Sequence, residues 1–273
     1  MNARAVASEA AARLKAAGVA DAQFEAELLT REAAGVTRAQ YFSGVDLSQE
    51  ESETVAQWVE RRERREPAPY ITGHREFYGR DFGVGTGVLV PRPETELLVE
   101  LGLKELDANP AAVVLEVGTG SGAVAVSIAA ERPSAVVIAT EVSPAAMKFA
   151  EANSAKFGAQ VGFVLGSLSS AIRRADVVLA NLPYIPTWEI EALEPEVSRW
   201  EPRVALDGGA DGYSLIRELV ADCAERLCPT FIGLEVGYGQ AKDVGEILRT
   251  VGVEPWFVKD LAGIDRIVCG RWR

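Results

Sequence analysis

The chain has 273 residues, 48% of them hydrophobic and 25% charged, and a formal net charge of −12. These values suit one large or two ordinary globular domains, and no apolar run reaches the ~20 residues that span a bilayer. Bulk negative charge argues against extended nucleic-acid binding, because a phosphate backbone is gripped by clustered Lys and Arg.

The first 66 residues read as helix. The opening stretch MNARAVASEAAARLKAAG is charged and helix-prone without the apolar block of a secretory signal, so a cytoplasmic protein is expected. In DAQFEAELLTREAAG the spacing puts Phe24, Leu28 and Leu29 on one side, starts at Asp21 as N-cap and stops at Gly35. A second helix opens at Ser48 with Glu51 three residues on, the pattern of a capping box, and carries Val55, Trp58 and Val59 on one face. Its RRERR end, Arg61 to Arg65, is interleaved with Glu60, Glu63 and Glu66 and reads as the solvated end of a helix. These helices are too few for an independent enzyme core and form a small bundle.

Residues 67–93 break the helical pattern with recurring Pro and Gly, and the alternation in REFYGRDF predicts a short β-hairpin linker. His74, the single histidine, lies here and reads as a surface residue; one histidine and three scattered cysteines are too few for a zinc site. Cys223, Cys228 and Cys269 form no C-x-x-C pair and read as small buried hydrophobes. No metal is expected.

From Glu94 to the end, apolar strands alternate with amphipathic helices. AAVVLEVG, AVVIATE, VGFVL, ADVVLAN, TFIGLEVG, PWFVKD and DRIVCGR are the strand candidates, with helices beginning near Gly122, Pro144, Tyr213 and Gln240. Alternation of this kind predicts an α/β fold, a doubly wound Rossmann-like sheet with helices on both faces. Only LAGI separates the last two strands, too little for a helical crossover, so they should pair antiparallel.

The first strand runs into a glycine-rich turn, Gly118-Thr119-Gly120-Ser121-Gly122, and then a helix. Glycines there let the backbone bend sharply and approach a ligand. The second strand ends at Glu141, whose carboxylate can accept from both hydroxyls of a ribose. An adenosine-containing ligand follows. Glu116, ahead of the glycines, favours S-adenosylmethionine, although the turn also fits the dinucleotide fingerprint of a nicotinamide enzyme, and a tight turn without ligand is the plainest alternative.

The strand ADVVLAN ends in Asn181-Leu182-Pro183-Tyr184 at the carboxyl edge of the sheet, where open α/β sheets bind ligands. Pro183 biases Leu182 toward an extended backbone. The Asn181 carboxamide oxygen and the Leu182 carbonyl can then hold one planar NH2 group, with Tyr184 as an aromatic face beside it. An amide nitrogen is a poor nucleophile because its lone pair is delocalised. Two acceptors on its N–H bonds orient it and favour the charge that develops as it attacks a methyl sulfonium.

Taken with PRPETE (Pro91 to Glu96), EPRVALDGGADGYSLIREL, LEVGYGQA and VKDLAGIDRIV, these segments make the whole chain resemble the HemK/PrmC family, which methylates the Gly-Gly-Gln glutamine of peptide-chain release factors. The resemblance implies residues 1–66 as a helical substrate-recognition domain, 67–93 as the hairpin linker and 94–273 as a class I methyltransferase domain. It implies S-adenosylmethionine as cofactor, S-adenosylhomocysteine as product and a class I release factor as partner. A monomer is expected, with no stable nucleic-acid or membrane partner. By position, Glu116, Gly118, Thr119, Gly120, Ser121, Gly122, Glu141, Leu168 and Asn181 would hold the cofactor. Asn181, Leu182, Pro183 and Tyr184 would be catalytic and bind the glutamine amide, with Arg92 and Glu94 near the mouth. The segment around Arg92 is equally well read as helix initiation, and DGGADGY as turn chemistry.

Two departures bear on this resemblance. Leu182 stands where the family usually has proline, a spelling shared with rRNA adenine dimethyltransferases, so an adenine-amine methyltransferase on RNA or DNA is the alternative. GSLSS (Gly166 to Ser170) lacks the usual acidic or aromatic residue of an adenine pocket. A cofactor-binding scaffold without catalysis would predict a damaged glycine loop or a missing asparagine, and neither is present.

Overall fold

Two units make up the computed structural model, which describes residues 1–272. One comprises Met1–His74 with Glu194–Trp200; the other comprises Arg75–Leu193 and the chain from Glu201 onward.

The first unit holds α1 (Ala3–Ala16), α2 (Ala22–Ala34), α3 (Arg38–Ser43), α4 (Gln49–Glu63) and α5 (Ala68–Thr72). Ser48 caps α4 as its spacing indicates: Glu51 N–H donates to Ser48 Oγ at 3.1 Å, and Ser48 N–H donates to the Glu51 carboxylate at 2.7 Å. Asp21 does not cap α2; its backbone is left-handed and its side chain makes no cap bond. Phe24 is also not in the core but 55% exposed. The buried stripe of α2 is set instead by Ala22, Ala26 and Leu29, which face the alanine-rich side of α1, and side chains that small let helices approach closely.

The RRERR segment is likewise not simply a solvated helix end. The Arg62 side chain is 4% exposed and pairs with both Glu25 and Glu196, while Arg65 pairs with Glu194 and Glu196. These arginines bind the segment 194–200 into the helical unit, a long-range role that alternation with acids in the sequence concealed.

The second unit begins with the hairpin β1 (His74–Phe77) and β2 (Arg80–Gly83). Its two turn residues, Tyr78 and Gly79, both have positive φ, the requirement of a turn that matches strand twist. After a single 3₁₀ turn at Pro93–Thr95 come α6 (Glu96–Ala108), β3 (Val113–Val117), α7 (Ala123–Glu131), β4 (Val136–Glu141) and α8 (Pro144–Phe157). Then follow β5 (Val161–Leu165) and β6 (Val177–Ala180), and after them α9 (Pro195–Ser198), which belongs to the helical unit. The chain ends with α10 (Ser214–Asp222), β7 (Phe231–Glu235), α11 (Ala241–Thr250), β8 (Trp256–Lys259) and β9 (Asp265–Arg271).

Seven strands form one sheet in the order β5-β4-β3-β6-β7-β9-β8. The pairs from β5 to β7 are parallel; β9 is antiparallel to both β7 and β8, as the short LAGI link requires. Central strands buried on both faces need continuous apolar runs, and Val177–Ala180 and Phe231–Leu234 supply them. Alternate residues pack on opposite layers: Val114, Leu179 and Phe231 with α6 and α7, Leu115, Val178 and Ile232 with α10 and α11. Strand order reverses at β3 and β6, so a crevice opens above their carboxyl ends.

Two expectations about side chains change here. Cys223 and Cys269 are buried, but Cys228 is exposed, in a left-handed turn after α10. His74 is half-buried beside Glu32, 3.2 Å from its carboxylate, rather than fully on the surface.

Candidate active site

A cavity of about 260 Å³ lies at that crevice. Its wall is built largely from the turn after β3, the ends of β4 and β6, and the loops around Val88 and Val204. Gly118, Gly120 and Gly122 all have positive φ, so the turn curls in a way side chains resist, and Gly118 and Thr119 are tied to the Thr140 carbonyl at 2.9 and 3.0 Å. Of the expected cofactor residues, Glu116, Gly118, Thr119, Gly120, Ser121, Glu141, Leu168 and Asn181 line the cavity. Gly122 does not; it caps the start of α7, where an added Cβ would lie 3.1 Å from the backbone of Ala150.

Glu116 is buried at the end of β3, and its Oε2 accepts from Thr119 Oγ1 at 2.5 Å and from Ala125 N–H at 2.9 Å. Burial pushes its carboxyl up to about 7, against those two donors and with help from Glu141. Glu141 is held by backbone: Gly120 N–H donates to Oε2 at 2.9 Å, and Val142 and Ser143 N–H donate to Oε1, both at 2.8 Å. This anchors the carboxylate at the cavity wall. Leu168 has φ of +46°, an uncommon conformation for a branched residue, at the far end of the same wall.

At the end of β6, Asn181, Leu182 and Pro183 line the cavity. Asn181 Nδ2 donates to Thr95 Oγ1 at 3.1 Å, which commits the amide nitrogen to the protein. Leu182 is buried, with a methyl 3.4 Å from where a Cβ on Gly118 would be, so it locks this strand end against the glycine turn. Tyr184 is not on the cavity wall. Its ring packs at Gly237, its carbonyl accepts from Gln240 Nε2 at 2.8 Å, and burial first, then Glu235, pushes its phenol up to about 12.

Arg92 lines the mouth and donates to Glu201 at 2.6 Å; Glu94 is not among the lining residues. Glu201 is buried and also accepts from Val90 N–H at 3.2 Å, and burial raises its carboxyl despite Arg92. Sequence reading passed over Thr95, Glu201 and Glu235. Thr95 lay inside the Pro-Arg-Pro-Glu-Thr-Glu segment, and Glu235 stands in a second Leu-Glu-Val-Gly, the same four residues that carry Glu116. The DGGADGY loop, for its part, is bonded to the 183–187 segment, with Gly208 N–H donating to Ile185 O at 2.8 Å and Thr187 N–H to Gly209 O at 2.9 Å.

Chemically, the site offers a tight glycine turn, two carboxylates and a fixed carboxamide around one cavity. That arrangement fits a cationic nucleoside-bearing ligand facing an amide or amine. Among the described residues, no helix is long and apolar enough to cross a membrane.

Comparison with known proteins agrees with this architecture. Residues 5–73 match the PrmC N-terminal domain, and residues 93–191 match the methyltransferase small domain. The release factor glutamine methyltransferase of Geobacter sulfurreducens is 42% identical over 260 residues, covering 93% of this chain and 91% of its own. Its namesake in Koribacter versatilis is 40% identical, covering 94% of each. The Deinococcus radiodurans protein of the same name is 36% identical across 99% of both chains. Among solved structures, the hMettl16 catalytic domain in complex with a MAT2A 3′UTR hairpin superposes with a TM-score of 0.59 at 14% identity, over 84% of each chain. A methyltransferase from Pyrococcus furiosus gives 0.53 at 19% identity, over 71% of this chain and 89% of its own. At such identities these two structures speak to fold alone.

Proposed function

The chain belongs to the release factor glutamine methyltransferase family, and from that premise we propose that it transfers a methyl group from S-adenosylmethionine to the side-chain amide nitrogen of the glutamine in the Gly-Gly-Gln motif of class I release factors. The observation that carries this reading is Asn181: its nitrogen is bonded to Thr95 on the wall of a cavity that the glycine turn also lines. With the nitrogen engaged, the carboxamide oxygen is the atom left for a ligand, and it accepts an N–H.

The cavity suits the cofactor. Its glycines carry no Cβ and let a ligand come close to the backbone, and its two carboxylates offset positive charge on an adenosine-bearing sulfonium. When bound, that cofactor supplies an electrophilic methyl group. Gly118 to Ser121 and Glu116 would hold its amino-acid part, Glu141 the ribose, and Leu168 the adenine. Asn181 Oδ1 and the Leu182 carbonyl would hold both N–H bonds of the glutamine amide, orient the nitrogen toward the methyl and stabilise the charge that develops on it. Pro183 shapes the turn. Tyr184 would serve from behind, holding the turn through its carbonyl bond to Gln240 rather than stacking on the amide. The helical unit and the mouth residue Arg92, with Glu94 two positions on, would engage the release factor. The same reading places the protein in the cytoplasm.

The test is mass spectrometry of a purified class I release factor after incubation with the protein and S-adenosylmethionine. One added methyl on the Gly-Gly-Gln glutamine, lost in Asn181→Ala while cofactor binding survives, is the expected result. Transfer to adenine in RNA or DNA, and none to the release factor, would overturn it.

A further inference from the structure

Strand alternation sets Glu116, Asn181 and Glu235 toward the same layer, the one formed by α6 and α7. Thr95, at the entry to α6, is buried over the ends of β6 and β7. It accepts from Asn181 Nδ2 at 3.1 Å, and its hydroxyl favours the ionised form of the neighbouring Glu235 carboxyl. Glu235 is 3% exposed, its Oε2 has no partner, and it does not touch the cavity. Burying a carboxylate with an unsatisfied oxygen costs free energy, and the cations that face it are Arg266 and Arg92.

The direction of these bonds has a consequence. A hydroxyl has one proton, and once Glu235 is ionised, above about pH 7, Thr95 gives it to that carboxylate. Thr95 can then only accept from Asn181, so the carboxamide must present its nitrogen to Thr95 and its oxygen elsewhere. Flipped by half a turn, the same carboxamide would aim an NH2 at the substrate's NH2. The two orientations have nearly the same shape, so packing alone discriminates poorly between them.

We propose that Glu235 and Thr95 are positioning residues for methyl transfer, acting through Asn181 to keep its carboxamide oxygen turned toward the substrate amide. The inference rests on the glutamine-amide reading of Asn181. Neither residue reaches the reacting atoms; Glu235 sets the polarity of the Thr95 hydroxyl, and Thr95 sets that of the asparagine.

Turnover on a class I release factor at pH 8, with S-adenosylmethionine affinity measured separately by calorimetry, tests this in four variants. Thr95→Val keeps the shape and loses the hydroxyl; kcat is expected to fall about tenfold or more, the scale of a misplaced polar contact, with cofactor affinity unchanged. Thr95→Ser keeps the hydroxyl and is expected to recover the turnover. Glu235→Met, which removes a buried charge, is expected to lower kcat as Thr95→Val does and carries the comparison should the valine variant not fold. The double variant Thr95→Val/Glu235→Met is expected to be no worse than Thr95→Val alone, because one path is cut twice. Additive losses, a Thr95→Ser as poor as the valine, or losses confined to cofactor affinity would overturn the proposal in favour of plain packing. Normal turnover in Thr95→Val overturns it too, whereas a wild-type protein that methylates no release factor overturns the reading beneath it.

Discussion

Glu116 and Glu235 stand at the carboxyl ends of β3 and β7, on the same face of the sheet and on either side of β6. Each is buried, and each carboxyl is pushed up to about 7, chiefly by that burial. Thr119 and Ala125 work against the shift at Glu116. At Glu235 it is opposed by Thr95, Arg266 and Arg92 and reinforced by Glu94. The asparagine strand thus ends between two acids that hold protons unusually tightly.

This pair makes folding stability depend on pH in an uncommon direction. In the unfolded chain the carboxyls titrate near 4.5; in the folded protein they titrate near 7, so between those values the folded state binds more protons. Their contribution is complete below about 4.5 and is lost as pH rises through about 7. Each is worth up to about 3 kcal/mol. Denaturant unfolding of Glu235→Gln beside the wild type should therefore show the variant gaining relative stability at pH 8 compared with pH 5. An equal difference at the two pH values would mean that Glu235 titrates alike in both states.

Cofactor affinity should carry the signature of Glu116. A cationic ligand favours the ionised carboxylate, so S-adenosylmethionine is expected to bind more tightly as pH rises from 6 toward 8 and to level off above about 7. Below that point the affinity should fall by up to about tenfold per pH unit. Calorimetric titrations of wild type and Glu116→Gln decide the matter: the variant should bind more weakly at pH 8 and lose most of the slope. The same slope in both would assign the pH dependence to another group.

How much of this was legible in the sequence depended on the range of the interactions. Apolar runs alternating with helices and a glycine-rich turn are local signals, so the strands, the antiparallel last pair and the glycines at the cavity followed from them. Asn181 was legible because an asparagine with a proline two places later is a poor way to continue a strand. Thr95 and Glu235 were not, since Thr95 lies 86 positions from Asn181 and no periodicity joins them. Phe24 misled for a related reason: apolar spacing finds a stripe, but the alanines of α1 decide which stripe is buried. Arg62 read as solvated because its partner Glu196 is 134 positions away.

The DGGADGY loop should matter to turnover through backbone alone. Ile185 N–H donates to Leu206 O at 3.1 Å, and a parallel bridge joins Ile185 to Asp207, so the loop runs beside the chain that follows Asn181. A Cβ on Gly208 would lie 2.7 Å from the Pro183 carbonyl oxygen and 2.6 Å from that of Gly212, distances at which backbone must move. Gly208→Ala is expected to lower kcat about tenfold or more by displacing the Leu182–Pro183 turn, while S-adenosylmethionine binding is retained. Single-turnover assays alongside calorimetry separate the two, and unaltered turnover would show that the loop yields without moving the turn.

Arg62 should govern the segment 194–200. Its guanidinium, 4% exposed, sits between Glu25 and Glu196, whose side chains are 20% and 17% exposed. Arg65 also reaches Glu196, and together they hold its carboxyl below the usual carboxylate range in spite of burial. Removing Arg62 leaves Glu25 unpaired and Glu196 with Arg65 alone. A broken buried pair of this kind costs about 3–5 kcal/mol, against at most about 1 kcal/mol for an exposed one. Arg62→Ala is therefore expected to lower the melting temperature and to speed amide exchange across residues 194–200, whereas Arg64→Ala, whose partner Glu60 is as exposed as itself, should change neither. The comparison is internal, because both arginines lie at the carboxyl end of α4 and lose the same charge. Equal exchange in the two variants would mean that α9 is held to the helical unit by its other contacts and that the buried pair only tolerates its surroundings.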